Sequence, residues 1–402
     1  MTYSLSKTFL PFAALAILFT SCKKNDDLEP NLRSSVDYSK LSASTNYSPT
    51  FLDSKGATTV DFTTGANRYK IFQAINAYAG SATSALIDAS VLRNMLANTG
   101  SPFTGTYAPL NSSGVQLRNI LASSKSVAES DAVRAKLDAE FATMATISQS
   151  NNAIAEKGKA GKLGTRLVDS KGMETVQIIQ KSMIGSMQLD YIANVLLTKG
   201  LEADNFTELT GKNYTQLEQN WDEAYALLTP NPIFLAGSTD AVRGTAEFAL
   251  GSYVWEYNKA NYAKIYPAFL KGRAAIVNND KTELSAQATF IKTQLELAIA
   301  NASIGYLEKW GTRTNDADRA HDIGEGVGFI YSLRFANIHG GDAAFSDGVI
   351  NNLISSSGGF WDVTPATIAA ASAAIKTKFK LYSNNSTLIN WFKAQYFEPV
   401  YI

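Results

Sequence analysis

Past residue 48 the apolar positions fall at intervals of three and four in one stretch after another, which is the spacing of a buried helical face. Asn67 to Ala79 places Tyr69, Phe72, Ile75 and Tyr78 on one side, and a segment opening at Ser84 carries Leu86, Val91, Leu92 and Met95. Gly114 to Ser123 and Val127 to Ile147 predict two more helices, the second striped by Val133, Leu137, Phe141 and Met144. Met173 to Lys199 is apolar on most sides, as in a helix central to a bundle. Gly185 in its middle costs about 1 kcal/mol relative to Ala, and predicts the close approach of a neighbouring helix. Further helices are expected over Tyr214 to Leu228, Ala246 to Lys259, Pro267 to Ile276, Leu284 to Trp310, Asp318 to Ile338, Phe345 to Ile354, Pro365 to Phe379 and Thr387 to Phe397. Almost no segment alternates with period two over five residues, so no sheet is expected. The fold class is all-α, an up-and-down helical bundle architecture of two packed bundles. A Gly- and Lys-rich interruption at Gly158 to Thr165 marks a loop or a subdomain joint near 156–170.

The start of the chain departs from this pattern. Lys7 precedes an apolar run from Phe9 to Phe19, followed by Thr20, Ser21 and Cys22. A short basic segment, a short apolar run and small residues before a cut site form a secretory signal, too short to span a bilayer comfortably. With Cys22 placed directly after small residues, the segment resembles a bacterial lipobox. Lipid on Cys22 would supply several acyl chains, enough for stable anchoring. The expected layout is a lipoprotein signal peptide over 1–21, a lipidated tether over 22–48 and a helical domain over 49–402. Lys23, Lys24, Asn25, Asp26 and Asp27 look like a signal for the outer face of an outer membrane, or else a solvated linker. The expected location is the outer membrane, on its cell-surface or periplasmic face.

Composition then narrows the chemistry. With 36 basic and 36 acidic side chains the 402-residue chain has no net charge, so it carries no electrostatic footprint for nucleic acid. One cysteine makes neither an intramolecular disulfide nor a Cys-rich zinc site. Phosphate loop, nucleophile elbow and His-Glu-x-x-His motifs are all absent from the sequence. The stretch Asp318 to Ile330 stands out. His321 and Glu325 are four apart and share a helix face. Gly324, Gly326 and Gly328 together weaken a helix by about 3 kcal/mol against alanine, so either another helix packs closely there or a ligand approaches the backbone. Five turns of helix separate His321 from His339 by about 27 Å, so a metal at His321 needs carboxylates from other helices. Glu174, Asp222 and Glu223 are the candidates, suiting iron, zinc or manganese. For Glu174 the alternative is an acid interacting with a helix dipole, and one of Asp222 and Glu223 is expected to face solvent. The separated tryptophans at 221, 255, 310, 361 and 391 read as core or interface anchors rather than a carbohydrate platform.

Several runs carry a resemblance: Asn111 to Leu117, Gly172-Met173-Glu174 with Gln180-Lys181 and Gly185, Asn220 to Tyr225, and Ala320-His321 through Gly328-Phe329. They resemble an uncharacterised family of Bacteroidetes-type lipoproteins that is distantly similar to imelysins, over roughly residues 45 to 380. Imelysin-like proteins are all-helical, built from two bundles, carry a Gly-x-His-x-x-Glu motif and are associated with iron or haem uptake; some were described as metallopeptidases. The motif histidine maps to His321, with Arg319 where the motif has Gly and Gly324 where it has Glu, Glu325 following one residue later. The resemblance therefore implies a lipid-anchored envelope binding protein acting in iron or haem acquisition, with a divalent metal (iron or zinc) or haem as cofactor and an outer-membrane uptake receptor as partner. The alternatives are an imelysin-like metallopeptidase and a non-catalytic structural or adhesive surface lipoprotein.

Overall fold

The computed structural model describes residues 32–229, 249–354 and 356–381. Several of its helices begin where a side chain satisfies free amides of the first turn. Helix α1 spans Thr63–Gly80, α2 Ala89–Ala97 and α3 Val127–Ser148. Asp88 caps α2, and Ser126 with Glu129 forms a capping box on α3. Helix α4, Thr175–Met183, runs on as a π-helix over Ile184–Leu196. Then come α5 (Gln216–Leu228), α6 (Leu250–Tyr257), α7 (Lys259–Val277), α8 (Lys281–Thr312), α9 (Asp316–Ser332), α10 (Ala343–Ile354) and α11 (Pro365–Lys378). Thr215 with Glu218 caps α5, and Asn315 caps α9.

The packing order places α9 at the centre. It lies against α4 on one side and α8 on the other, while α1 packs on α5 and α7 on α8. Ile179, Met183, Leu295, Ile299, Ile323 and Phe329 are buried where these helices meet. Gly185 does what its position predicts: a methyl group there would lie 2.3 Å from Cβ of Ser332 at the end of α9. The all-helical bundle is as expected, with four local differences. Residues 114–123 form irregular turns rather than a helix, because Asn98 Nδ2 donates to the carbonyls of Leu110 and Val115 and Ala122 takes a positive φ of 52°. The joint expected near 156–170 contains a short antiparallel hairpin, β1 (Gly161–Leu163) paired with β2 (Arg166–Val168). Helix α9 gives way at Leu333 to a single 3-10 turn, so no continuous helix joins His321 to His339. The π-helix replaces the second half of the long helix expected at 173–199.

The segment expected as tether through Ser48 is docked from Arg33 onward. Arg33 reaches Glu218 at 2.6 Å, Val36 pairs with Asn278, Tyr38 donates to Asp280 and Tyr47 donates to Asp222. Cys22, the signal segment and the helix expected at 387–397 lie outside the described residues.

Candidate functional site

Glu174 reaches its place through a tight turn. Asp169 accepts hydrogen bonds from the backbone amides of Lys171 and Met173, and Gly172 supplies the positive φ of 72° that the turn needs. Glu174 therefore stands at the N-cap of α4, yet its side chain caps nothing. It turns instead to α9, where its Oε2 lies 2.7 Å from Nδ1 of His321. Its Oε1 lies 3.7 Å from the Arg166 guanidinium on β2.

The close approach that brings α4 and α9 together depends on the glycines of α9. A methyl group on Gly328 would lie 2.5 Å from Cβ of Lys181, and one on Gly324 would lie 3.2 Å from the Glu174 carbonyl. Gly326 faces α8 at ordinary contact distances of 3.6 Å or more. Helix packing explains two of the three glycines, and the polar groups sit in the seam that this packing creates.

In that seam His321 Nε2 lies 3.4 Å from Glu325 Oε1, and the same oxygen is 3.0 Å from the Lys181 ammonium. Arg166, Glu174, His321, Glu325 and Lys181 thus form a chain of alternating charge potential running from the half-buried hairpin into the core. Lys181 and Glu325 side chains retain only 3% and 6% exposure. Burial drives the Lys181 ammonium below the ordinary lysine range, against the pull of Glu325 and Glu174. Burial pushes the Glu325 carboxyl up, but Lys181, His321 and the Tyr306 hydroxyl outweigh it and hold the group below the usual glutamate value. Tyr253, Tyr257 and Tyr306 surround the inner end, with the Lys181 ammonium 5.3 Å from the Tyr253 ring centre. Burial raises all three phenols, which therefore stay protonated.

This arrangement does not fit a metal. The two imidazole nitrogens point in divergent directions; Glu174 takes one and Glu325 faces the other, so the two carboxylates cannot converge with the ring on a single ion. The positive charge that Glu325 needs is already supplied by Lys181. Among the described residues no group of three or more His, Cys, Asp or Glu is placed to hold a metal ion.

Asp222 and Glu223 do not join His321. Both are buried, correcting the expectation that one faces solvent. Helix α5 packs on α7, so Asp222 Oδ1 accepts from Arg273 Nε at 3.2 Å and from the Tyr47 hydroxyl at 2.9 Å. Arg273 also pairs with Glu218 at 2.8 Å, and Glu223 pairs with Arg68. His339 is engaged elsewhere, 2.6 Å from Glu296 and stacked on Phe379. Trp221 is a core anchor whose Nε1 donates to the Phe269 carbonyl, while Trp391 lies outside the described residues.

A cleft of about 290 Å³ opens beside the outer end of the charge chain. Arg166, Glu174, Gln177 and Gln180 line it together with Asn76, Thr83 and Thr165 from the α1 end and the hairpin turn. Of these residues only Glu174 is a candidate ligand-binding residue by the sequence. Lys181 carried a detectable signal, because a lysine between Ile178, Ile179, Met183 and Ile184 must be buried and therefore paired.

A protein-family model described as Domain of unknown function (DUF4856) matches residues 47–382. No curated protein and no solved structure matches the chain.

Proposed function

The chain belongs to the DUF4856 family, and we propose that it is a lipid-anchored cell-envelope binding protein whose ligand occupies the polar cleft beside Glu174 without a metal ion. The observation that carries this reading is the cleft itself. It places Arg166, Glu174, Gln177 and Gln180 around one opening, at the end of a buried charge chain that holds Glu174 and Gln177 in position. In a concave site a few convergent polar groups fix the orientation of a small molecule. The lipobox-like run ending at Cys22 and the resemblance to envelope lipoproteins support the anchor.

An iron- or haem-acquisition role would have to work without His321 and Glu325 as metal ligands. The His321–Glu174 contact and the Lys181–Glu325 ion pair occupy the groups that a metal would take. The same pairing weighs against a metallopeptidase, which needs an ion with an open coordination position.

Side-chain amide resonances of Gln177 and Gln180 report directly on the cleft. They are expected to shift when small organic solutes of matching polarity are added and to stay fixed with zinc or ferrous iron. Stoichiometric metal binding that depends on His321, with no organic solute reaching the cleft, would overturn the reading.

A further inference from the structure

The orientation of the amides in the cleft follows from the buried ammonium behind them. Lys181 Nζ carries only donors, and it is hydrogen-bonded to Oε1 of Gln177 at 3.0 Å and to Oε1 of Gln180. Each carbonyl oxygen is thereby turned toward the ammonium, and each Nε2 is turned away from it. Neither nitrogen has a hydrogen-bond partner among the described residues, and both side chains line the cleft. The Arg166 guanidinium, engaged only loosely at 3.7 Å by Glu174, adds a positive charge to the same wall.

Two acceptor-bearing side chains, Asn76 and Glu174, belong to the same lining. Asn76 donates through Nδ2 to the Phe72 carbonyl at 2.8 Å, which leaves its Oδ1 pointing the other way. That oxygen is buried and has no partner among the described residues, an acceptor left unmet unless a ligand or water donates to it. Glu174 adds its carboxylate oxygens to that lining. The lining includes no aromatic side chain on which a flat ring could stack, and the volume of about 290 Å³ suits a molecule of amino-acid size.

We infer that the cleft takes a small α-amino or α-hydroxy carboxylate. Its carboxylate is held by Arg166 and the amide nitrogens of Gln177 and Gln180, and its amino or hydroxyl group donates to Asn76 Oδ1 and Glu174. Lys181 acts as a positioning residue, fixing which face of each amide the ligand meets. The inference rests on the reading that this cleft is the binding site.

The test is titration of the full chain with L-alanine, L-lactate, L-alaninamide and glucose, read by calorimetry and by the Gln177 and Gln180 amide resonances. Alanine or lactate is expected to bind and to shift those resonances, with alaninamide weaker by about tenfold or more, since it lacks the anion. Arg166→Met should weaken binding of the carboxylates by about tenfold or more. Gln180→Glu keeps an oxygen toward Lys181 but presents a second anionic oxygen to the cleft, and should abolish binding of the carboxylates. Circular dichroism of both variants confirms that they fold. Equal binding of alanine and alaninamide, or carboxylate binding unchanged in both variants, overturns the ligand class. Glucose alone shifting the two amide resonances also overturns the class while leaving the cleft as the site. If no probe moves them, both the class and the cleft reading fall.

Discussion

His321 Nδ1 and Glu174 Oε2 meet at 2.7 Å across the seam between α9 and α4, although 147 residues separate them in the chain. One contact joins the most conspicuous residue of the sequence to the wall of the cleft, so the imidazole serves as a strut for Glu174. Replacing His321 by Ala leaves Glu174 and Glu325 buried with one partner fewer, and should cost about 1–3 kcal/mol in urea denaturation. His321→Gln keeps a donor for Glu174 and should recover part of that loss. Unchanged stability in both variants would show that the contact holds nothing together.

Lys181 and Glu325 are the deeper pair, and breaking it should cost more. Lys181→Met strands a carboxylate at 6% exposure, with an expected loss of about 3–5 kcal/mol. Adding Glu325→Gln removes the stranded charge and should restore much of it. A double-mutant cycle measures the coupling directly, and additive losses would contradict a paired charge.

The three glycines of α9 should respond differently to alanine. Gly328→Ala drives a methyl into Lys181 Cβ at 2.5 Å, and overpacking of this kind costs about 1–3 kcal/mol. Gly326→Ala meets nothing closer than 3.6 Å, so it should gain up to about 1 kcal/mol of helix propensity. Opposite shifts in denaturation midpoint are the expected outcome. Equal shifts in one direction would contradict the packing described.

Asp222 gives a dependence on pH. Burial raises its carboxyl, and nearby Glu218 adds to the rise, against Arg273 and the Tyr47 hydroxyl, leaving the group at about 7. A folded-state value above the unfolded one means that the native chain binds the proton more readily between the two. Its contribution to stability is therefore fully present below about pH 4 and is lost as pH rises through about 7. Asp222→Asn, which mimics the protonated form, should flatten the decline between those values in denaturation curves at pH 4.5 and 7.5. Parallel wild-type and variant profiles would contradict it.

Most of the helices are legible in the sequence because an apolar stripe at helical spacing forces burial of one face whatever its partner is. The close approach at Gly185 was legible for a similar reason, since a glycine that weakens a buried helix needs compensation. His321 and Glu325 could be found because their spacing puts them on one face. Three things were not legible. The π-helix at 184–196 preserves the apolar character that a regular helix also has, so its pattern cannot distinguish the two. The placement of Asp222 and Glu223 depends on Arg273 and Arg68, whose distances along the chain hide the pairing. The cleft draws Asn76, Arg166 and Gln177 from three separate elements, and such polar residues carry no periodic signal until the fold brings them together.

Lys181 supplies the cation beside Glu325, 3.0 Å from its carboxylate, and leaves no place there for a metal. Calorimetric titration of the full chain with zinc and ferrous iron, wild type beside His321→Ala, decides between the two cations. Negligible binding in both proteins is the predicted result. Stoichiometric binding by the wild type that disappears in His321→Ala would contradict it.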